Sequence, residues 1–261
     1  MAGLTAEAIV LHAFDYLESS RIVRVLTREA GVRSAVARGA RRSTRRFGPS
    51  LDLFVQGIAD LDVRPGRDLD TLQSFDVRRS RITIGGALER FSAASAIAEL
   101  ILRFGTIDAD AELFATVAAT FDTLADVTAA EAPVNTLAAG WRILAHLGFA
   151  PSLEQCIDCH AAVEPEVPAL FNHAGGGVRC PSCAGRSREG RTLPPEARAA
   201  IREWLEDATS APLPPLPLPG LRAHQRLLRE FVHAHLADER PLRAYEMWEH
   251  ASSARGAWSA A

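Results

Sequence analysis

The chain has 261 residues, a hydrophobic fraction of 48% and four cysteines, which is enough for one large domain or two modest ones with apolar cores. Its formal net charge is −3, and all 29 basic residues are arginine. The start of the chain lacks a secretory signal pattern, and no apolar run is long enough to span a membrane. We therefore expect a cytoplasmic protein that does not bind membranes.

The first 80 residues contain five segments with the alternating apolar and polar pattern of β-strands. The longest has fourteen residues, which is too many for a flat strand, and we expect strong coiling or a bulge at Gly57. Five short strands in residues 1–80 predict a small closed barrel. The predicted strands are Ala8–Leu11, Arg21–Thr27, Val32–Gly39, Leu51–Arg64 and Thr71–Val77.

The segment from Ala37 to Ser50, ARGARRSTRRFGPS, contains five arginines and no acidic residue. It follows a strand that should end near Gly39, so we expect a loop at the rim of the barrel. The loop is either a solvated basic segment or a surface that contacts nucleic-acid phosphates. In the second interpretation Arg33 extends the phosphate track, and Phe47 either stacks a base or anchors the loop. The arginines of the segment are Arg38, Arg41, Arg42, Arg45 and Arg46.

After Arg81 the sequence becomes rich in Ala and Leu with helical periodicity. Residues 81–250 are predicted to form an all-helical domain, interrupted by residues 151–192, and the fold class is therefore α+β. Residues 251–261 are predicted to be a disordered tail. The predicted helices are Ala87–Phe104, Ala111–Val127, Asn135–Leu147, Pro194–Asp207, Leu221–Leu236 and a short one near Leu242–Trp248.

Two CxxC pairs lie in the interruption, with twenty residues between them. Each pair allows a tight turn that directs two sulfurs at one tetrahedral ion, so together they predict a structural Zn²⁺ site. A shell of four thiolates leaves no position for water, which argues against a catalytic metal. The predicted ligands are Cys156, Cys159, Cys180 and Cys183.

Other interpretations of the cysteines are a redox-active pair or thiols without metal. A redox pair would normally lie at a helix N-terminus beside a βαβ pattern, and neither feature is evident. His160 and His173 are further candidate ligands, but four cysteines already complete a tetrahedral shell. We also expect Arg179, Arg186, Arg188 and Arg191 to offset the negative charge of the site.

One late helix has a basic face that we consider for partner binding. The face consists of Arg222, Arg226 and Arg229, opposite an apolar face, and its alternative role is simple solvation. We find no phosphate-binding glycine loop, no Ser/His/Asp set and no paired carboxylates. Nothing in the sequence indicates an enzyme.

The order of these parts resembles the bacterial DNA repair protein RecO family. The resemblance spans roughly residues 5–250. It is carried by the opening EAIVLHAFDYLESSRIVRVLT, by the segment GVRSAVARGARRSTRRFG and by the two CxxC pairs. It implies that the barrel is an OB-fold that binds single- and double-stranded DNA.

The same resemblance implies a recombination mediator that anneals complementary strands coated by single-stranded DNA-binding protein. It also implies RecR as a partner in the RecFOR pathway. A second hypothesis is a zinc-ribbon regulatory or scaffolding protein whose barrel binds RNA or another protein. Strand annealing without ATP would distinguish the two.

Overall fold

The computed structural model describes residues 2–41, 47, 51–63, 66, 69–186, 189–206, 213–236 and 240–258. A closed barrel with strand order β1-β2-β3-β5-β4 comes first, which confirms the expected architecture. Only the pairing of β3 with β5 is parallel. The strands are β1 (Ala2–Tyr16), β2 (Ser20–Thr27), β3 (Gly31–Ala37), β4 (Gln56–Val63) and β5 (Asp70–Arg79).

The fourth strand begins at Gln56, five residues later than the predicted Leu51–Arg64. Phe54 has a positive φ of 68°, so the chain turns there. Its ring packs on Phe91 and Phe121, with centroids 6.0 and 5.0 Å away. The apparent alternation before Gln56 reflects packing inside the barrel, because Leu51 and Val55 belong to its core while Phe54 turns towards the helices. The β4–β5 register shifts between Gln56 and Gly57, where the sequence predicted strong coiling or a bulge, but the extra residue is Arg78 on β5.

The first strand is much longer than the predicted Ala8–Leu11. Its N-terminal half pairs with β4 from Ala2 to Ile9, and its C-terminal half pairs with β2 as far as Tyr16. A register shift between Val10 and His12 separates the two halves. This bulge bends the strand, so β1 can pair with β4 along its first part and with β2 along its last part.

Helices form the second half of the chain, near the predicted positions. The N-termini carry recognisable caps: the Asp110 carboxylate accepts the N–H of Leu113, and Thr128 with Glu131 forms a reciprocal capping box. The helices are α1 (Leu88–Phe104), α2 (Ala111–Asp126), α3 (Ala132–His146), α4 (Pro181–Ala184), α5 (Pro195–Glu206), α6 (Leu218–His235) and α7 (Arg243–Trp258).

The last helix corrects the predicted C-terminus. It continues to Trp258, through the part of residues 251–261 for which the sequence predicted a disordered tail. Glu99 of α1 explains where it begins, since the carboxylate accepts the N–H of Tyr245 at 3.0 Å. Tyr245 and Trp248 are both buried. The apolar face of α7 is therefore stabilised by packing on α1, a contact that local periodicity does not reveal.

The cysteine segment folds as a small three-stranded sheet between α3 and α5. Its strands, in the order β7-β6-β8, are β6 (Ala169–Asn172), β7 (Gly177–Arg179) and β8 (Arg191–Leu193). Phe171 of β6 packs edge-on against Trp141 of α3 and beside Phe231 of α6. The insertion thus shares the apolar core of the helical half.

Candidate metal centre and nucleic-acid surface

The two CxxC turns meet at one point of the insertion. In the first turn the His160 N–H donates to the Cys156 carbonyl at 2.9 Å, and in the second the Ala184 N–H donates to the Cys180 carbonyl at 2.9 Å. His160 has a positive φ of 58°, which lets the first turn close tightly. Each turn brings its two sulfurs to the same side.

The four Sγ atoms all lie within 4.8 Å of one another. Those of Cys159 and Cys180 are 3.7 Å apart. A tetrahedral Zn²⁺ with bonds of ~2.3 Å would hold its sulfur ligands ~3.8 Å apart. The donor set and its spacing therefore fit a metal ion, and among the described residues this is the one such cluster of metal-ligating side chains.

Backbone amides favour a thiolate at Cys156. Burial raises the pKa of this thiol, but hydrogen bonds from the N–H groups of Cys180, Cys159 and Asp158 outweigh burial and lower the pKa to about 6. The thiolate is the form of cysteine that binds metal. These amides therefore favour the charged form of the thiol that a metal ion requires.

Three of the surrounding basic side chains pair with carboxylates. Arg179 pairs with Asp158 at 2.9 Å, and Arg191 forms an ion pair with Glu230 of α6. His173 also lies 3.2 Å from Glu230, so its ring faces α6 and not the sulfur cluster. Arg186 is exposed, and Arg188 lies outside the described residues.

The arginine segment leaves the barrel where β3 ends at Ala37. Arg38 and Arg41 are exposed. The Arg41 N–H donates to the Ser19 carbonyl at 3.2 Å, which holds the start of the segment against the β1–β2 turn. The other predicted phosphate contacts, Arg42, Arg45 and Arg46, lie outside the described residues.

Two residues that the sequence assigned to this surface have structural roles. Arg33 pairs with Asp70 of β5 at 2.7 Å, with only 16% of its side chain exposed. Phe47 is 1% exposed and packs in the barrel core. A buried ring cannot stack on a base, and a buried ion pair resists separation. We therefore exclude Phe47 and Arg33 from the phosphate-binding surface.

The basic face of α6 is smaller than predicted. Arg222 and Arg226 are exposed, but Arg229 forms an ion pair with Glu249 of α7. Arg229 therefore helps to join two helices, and the candidate partner surface reduces to Arg222 and Arg226.

Comparisons with known families decide the relationship of the chain. A family model described as "Recombination protein O N terminal" matches residues 1–81, and one described as "Recombination protein O C terminal" matches residues 86–244. The chain belongs to the recombination protein O (RecO) family. The closed five-stranded barrel is accordingly the OB-fold of that family.

Relatives match over most of their length. The "DNA repair protein RecO" of Anaeromyxobacter sp. strain Fw109-5 is 36% identical over 218 residues, which cover 81% of this chain and 84% of that protein. The protein of the same name from Myxococcus xanthus is 32% identical and covers 88% and 91%. The one from Rubrobacter xylanophilus is 29% identical and covers 92% and 94%.

Sequence reasoning missed the residue that joins the two halves of this RecO family member. Arg81 follows β5, and its side chain is 1% exposed. Its guanidinium donates to Asp122 Oδ1 at 2.5 Å, to the Phe54 carbonyl at 2.9 Å and to Gln56 Oε1 at 2.7 Å. The run Arg78-Arg79-Ser80-Arg81 gives no sequence signal of this role, since the acceptors come from α2, from Phe54 and from the first residue of β4.

No described helix of this RecO family member is long and apolar enough to cross a membrane.

The sequence also gave no reason to single out the β1–β2 hairpin. Phe14, Tyr16 and Leu17 are all exposed there. They occur within the opening segment that carries the family resemblance, and strand alternation alone places Phe14 and Tyr16 on one face.

Proposed function

We propose that this protein is a non-enzymatic recombination mediator that binds single- and double-stranded DNA through its barrel and anneals complementary strands. The observation that carries the proposal is the exposed pair Arg38 and Arg41 at the barrel rim. The sequence continues from them to three further arginines without an acidic residue. OB-folds bind nucleic acid through a strand face and its adjoining loops.

We propose a separate role for each part of the chain. Residues 1–80 form the DNA-binding domain, residues 81–250 form the helical domain, and residues 151–192 form a zinc-binding insertion within it. One Zn²⁺ per chain would be held by Cys156, Cys159, Cys180 and Cys183. Because four protein ligands complete the shell, the ion stabilises the insertion and takes part in no reaction.

Salt dependence tests the DNA surface. Phosphate contacts release counterions, so binding should weaken steeply between about 50 and about 200 mM salt. Changing Arg41, Arg42, Arg45 and Arg46 to Ala should weaken binding to oligonucleotides and lower the log–log salt slope by ~0.7 for each lost contact on single strands. The same variant should anneal complementary oligonucleotides poorly in the absence of ATP.

A matched control removes the same charge from exposed sites of the helical half. Arg186, Arg202, Arg222 and Arg226 are all exposed, and changing them to Ala should leave the salt slope and annealing at wild-type values. If the barrel variant binds and anneals like wild type, the arginine segment is not the DNA site. If both variants lose binding equally, only net charge matters.

The proposed protein partners are RecR and single-stranded DNA-binding protein, as in the RecO family. For the second, we propose Arg222 and Arg226 as contacts for an acidic peptide, because paired arginines suit carboxylates. Arg222→Ala/Arg226→Ala tests this assignment. This variant should no longer capture single-stranded DNA-binding protein, but it should bind naked DNA with wild-type affinity. Unchanged capture would exclude the α6 face as the binding site of that protein.

A further inference from the structure

The hairpin between β1 and β2 ends in an unusual concentration of exposed apolar side chains. Phe14 is 43% exposed, Tyr16 is 41% exposed and Leu17 is 74% exposed. Single exposed apolar residues are common on protein surfaces, but a contiguous group often marks a binding site. We call Phe14 and Tyr16 the aromatic tip.

The two rings lie on the outer face of the barrel. Strand alternation puts His12, Phe14 and Tyr16 on one face, and the His12 and Phe14 ring centroids are 5.6 Å apart. Ala13, on the opposite face, packs against the barrel core. The rings of the aromatic tip are therefore not part of the barrel core.

This part of β1 is also an edge in the described part of the chain. From His12 to Tyr16 the strand pairs with β2, whereas its last residue pair with β4 is Ile9 with Gln56. The exposed fractions of Phe14 and Tyr16, 43% and 41%, leave part of each ring accessible. A flat, extended ligand can approach them.

Arginine side chains lie beside the aromatic tip, together with the exposed carboxylates of Asp15 and Glu18. The Arg41 N–H bonds to the Ser19 carbonyl in the turn that follows Tyr16. The exposed carboxylate of Asp15 is balanced by Arg21 at 3.3 Å and Arg41 at 3.7 Å. Arg38, which is close to Arg41 in sequence, is also exposed. A nucleic-acid backbone on the arginine segment would therefore pass next to the two rings.

We propose that Phe14 and Tyr16 stack unpaired bases of single-stranded DNA whose phosphates contact Arg38 and Arg41. This inference rests on the proposed DNA-binding function and adds to it a means of recognising unpaired bases. Aromatic side chains stack on any base, while base faces inside a duplex are already stacked. The aromatic tip thus gives affinity for single strands that phosphate contacts alone do not supply.

The experiment separates stacking from charge. Wild type is titrated with oligothymidylate of about 16 nucleotides and with an abasic deoxyribose-phosphate chain of the same length. Phe14→Ala/Tyr16→Ala should weaken oligothymidylate binding at least about 25-fold, at about 5-fold or more for each lost stack. Its affinity for the abasic chain and its salt slope should stay at wild-type values, because the arginines are intact.

Two further variants complete the design. Phe14→Leu/Tyr16→Leu keeps apolar bulk but removes the flat rings, and it should behave like the alanine variant. Ile82→Ala/Leu88→Ala removes exposed side chains of the helical half, which are 84% and 61% exposed, and it should bind like wild type. Circular dichroism checks that each variant is folded.

The possible outcomes distinguish this inference from the function beneath it. If the tip variants still prefer oligothymidylate over the abasic chain, stacking at this tip is excluded while salt-dependent DNA binding stands. If wild type binds neither chain, the proposed function itself fails. If the tip variants lose RecR capture but keep full affinity for oligothymidylate, the tip contacts protein and the inference is overturned.

Discussion

His224 lies on the buried side of α6, and its ring centroid is 4.9 Å from that of Trp204 in α5. The residue is 7% exposed, and burial lowers the pKa of its imidazole to about 4. The folded protein therefore holds this side chain neutral at a pH where an unfolded chain, with a pKa of about 6.5, already binds a proton.

The sign of the resulting pH dependence follows from proton binding. Between about pH 6.5 and about pH 4 the unfolded state binds more protons, so stability falls as the pH falls through this window. Above the pKa of the unfolded state, neutral His224 makes its full contribution to the free energy of unfolding. From about pH 7 to about pH 5 the loss should be about 2 kcal/mol.

We predict that His224→Phe removes this part of the pH dependence. Urea unfolding of wild type and variant at about pH 7 and about pH 5 measures it, because other titrating groups and any metal loss cancel in the comparison. His224→Leu serves as a second non-titrating variant. Equal loss of stability in all three proteins on acidification would contradict the assignment.

At the scale of the element, the cysteine insertion combines a local motif with distant support. The CxxC turns direct the sulfurs, but Phe171 and the Arg191–Glu230 pair attach the insertion to α3 and α6. A sheet with strands of three and four residues buries little apolar surface of its own. Metal binding should therefore supply a large share of its folding free energy.

We predict one tightly held zinc per chain and its loss in Cys156→Ser. An incomplete shell should unfold the insertion, which exposes residues 151–192 to protease and costs solubility before it costs DNA affinity. Metal analysis and limited proteolysis measure the two effects. Zinc should also leave on acidification, because protons compete with the ion for the thiolates.

Ser182→Ala is the matched control, since Ser182 is exposed and lies between Cys180 and Cys183. It should keep the metal and resist protease like wild type. Purified wild type without zinc, with all four thiols freely titratable, would refute the metal site.

At the scale of the whole molecule, Arg81 joins the barrel to the helices. It contacts the Phe54 carbonyl just before β4 and Gln56 at the start of β4, and it contacts α2 through Asp122. Phe54 reinforces the joint from the barrel side by packing on Phe91 and Phe121. One continuous core therefore includes residues of both halves.

We predict that Arg81→Ala destabilises the protein by about 3 kcal/mol, because it leaves the Phe54 carbonyl and Gln56 Oε1 without their donor, while Asp122 keeps its ion pair with Arg79. Arg81→Lys should recover only part of this loss, since one ammonium cannot reach the same spread of acceptors. Urea unfolding measures both. Arg78→Ala is the control: Arg78 pairs with Asp76 on the surface, where each side chain is 65% exposed, and its loss should cost at most about 1 kcal/mol.

The outcome for individual elements depended on where their stabilising contacts lie. The start of α2 at Ala111 was predictable because helical periodicity is local. The start of β4 and the end of α7 were not. Phe54 is directed by rings of α1 and α2, and α7 is stabilised by Glu99 and by burial of Tyr245 and Trp248.

The sequence by itself determined the closed barrel, the helical second half and the clustering of the four cysteines, because strand alternation, helical periodicity and CxxC spacing are encoded within a few residues of one another. Tertiary structure decided which charged and aromatic side chains remain available to a ligand. Arg33 and Arg229 have carboxylate partners distant in sequence, and Phe47 is buried, whereas Phe14 and Tyr16 are exposed. Burial and pairing depend on chain segments that meet only in the fold, and no local pattern records them.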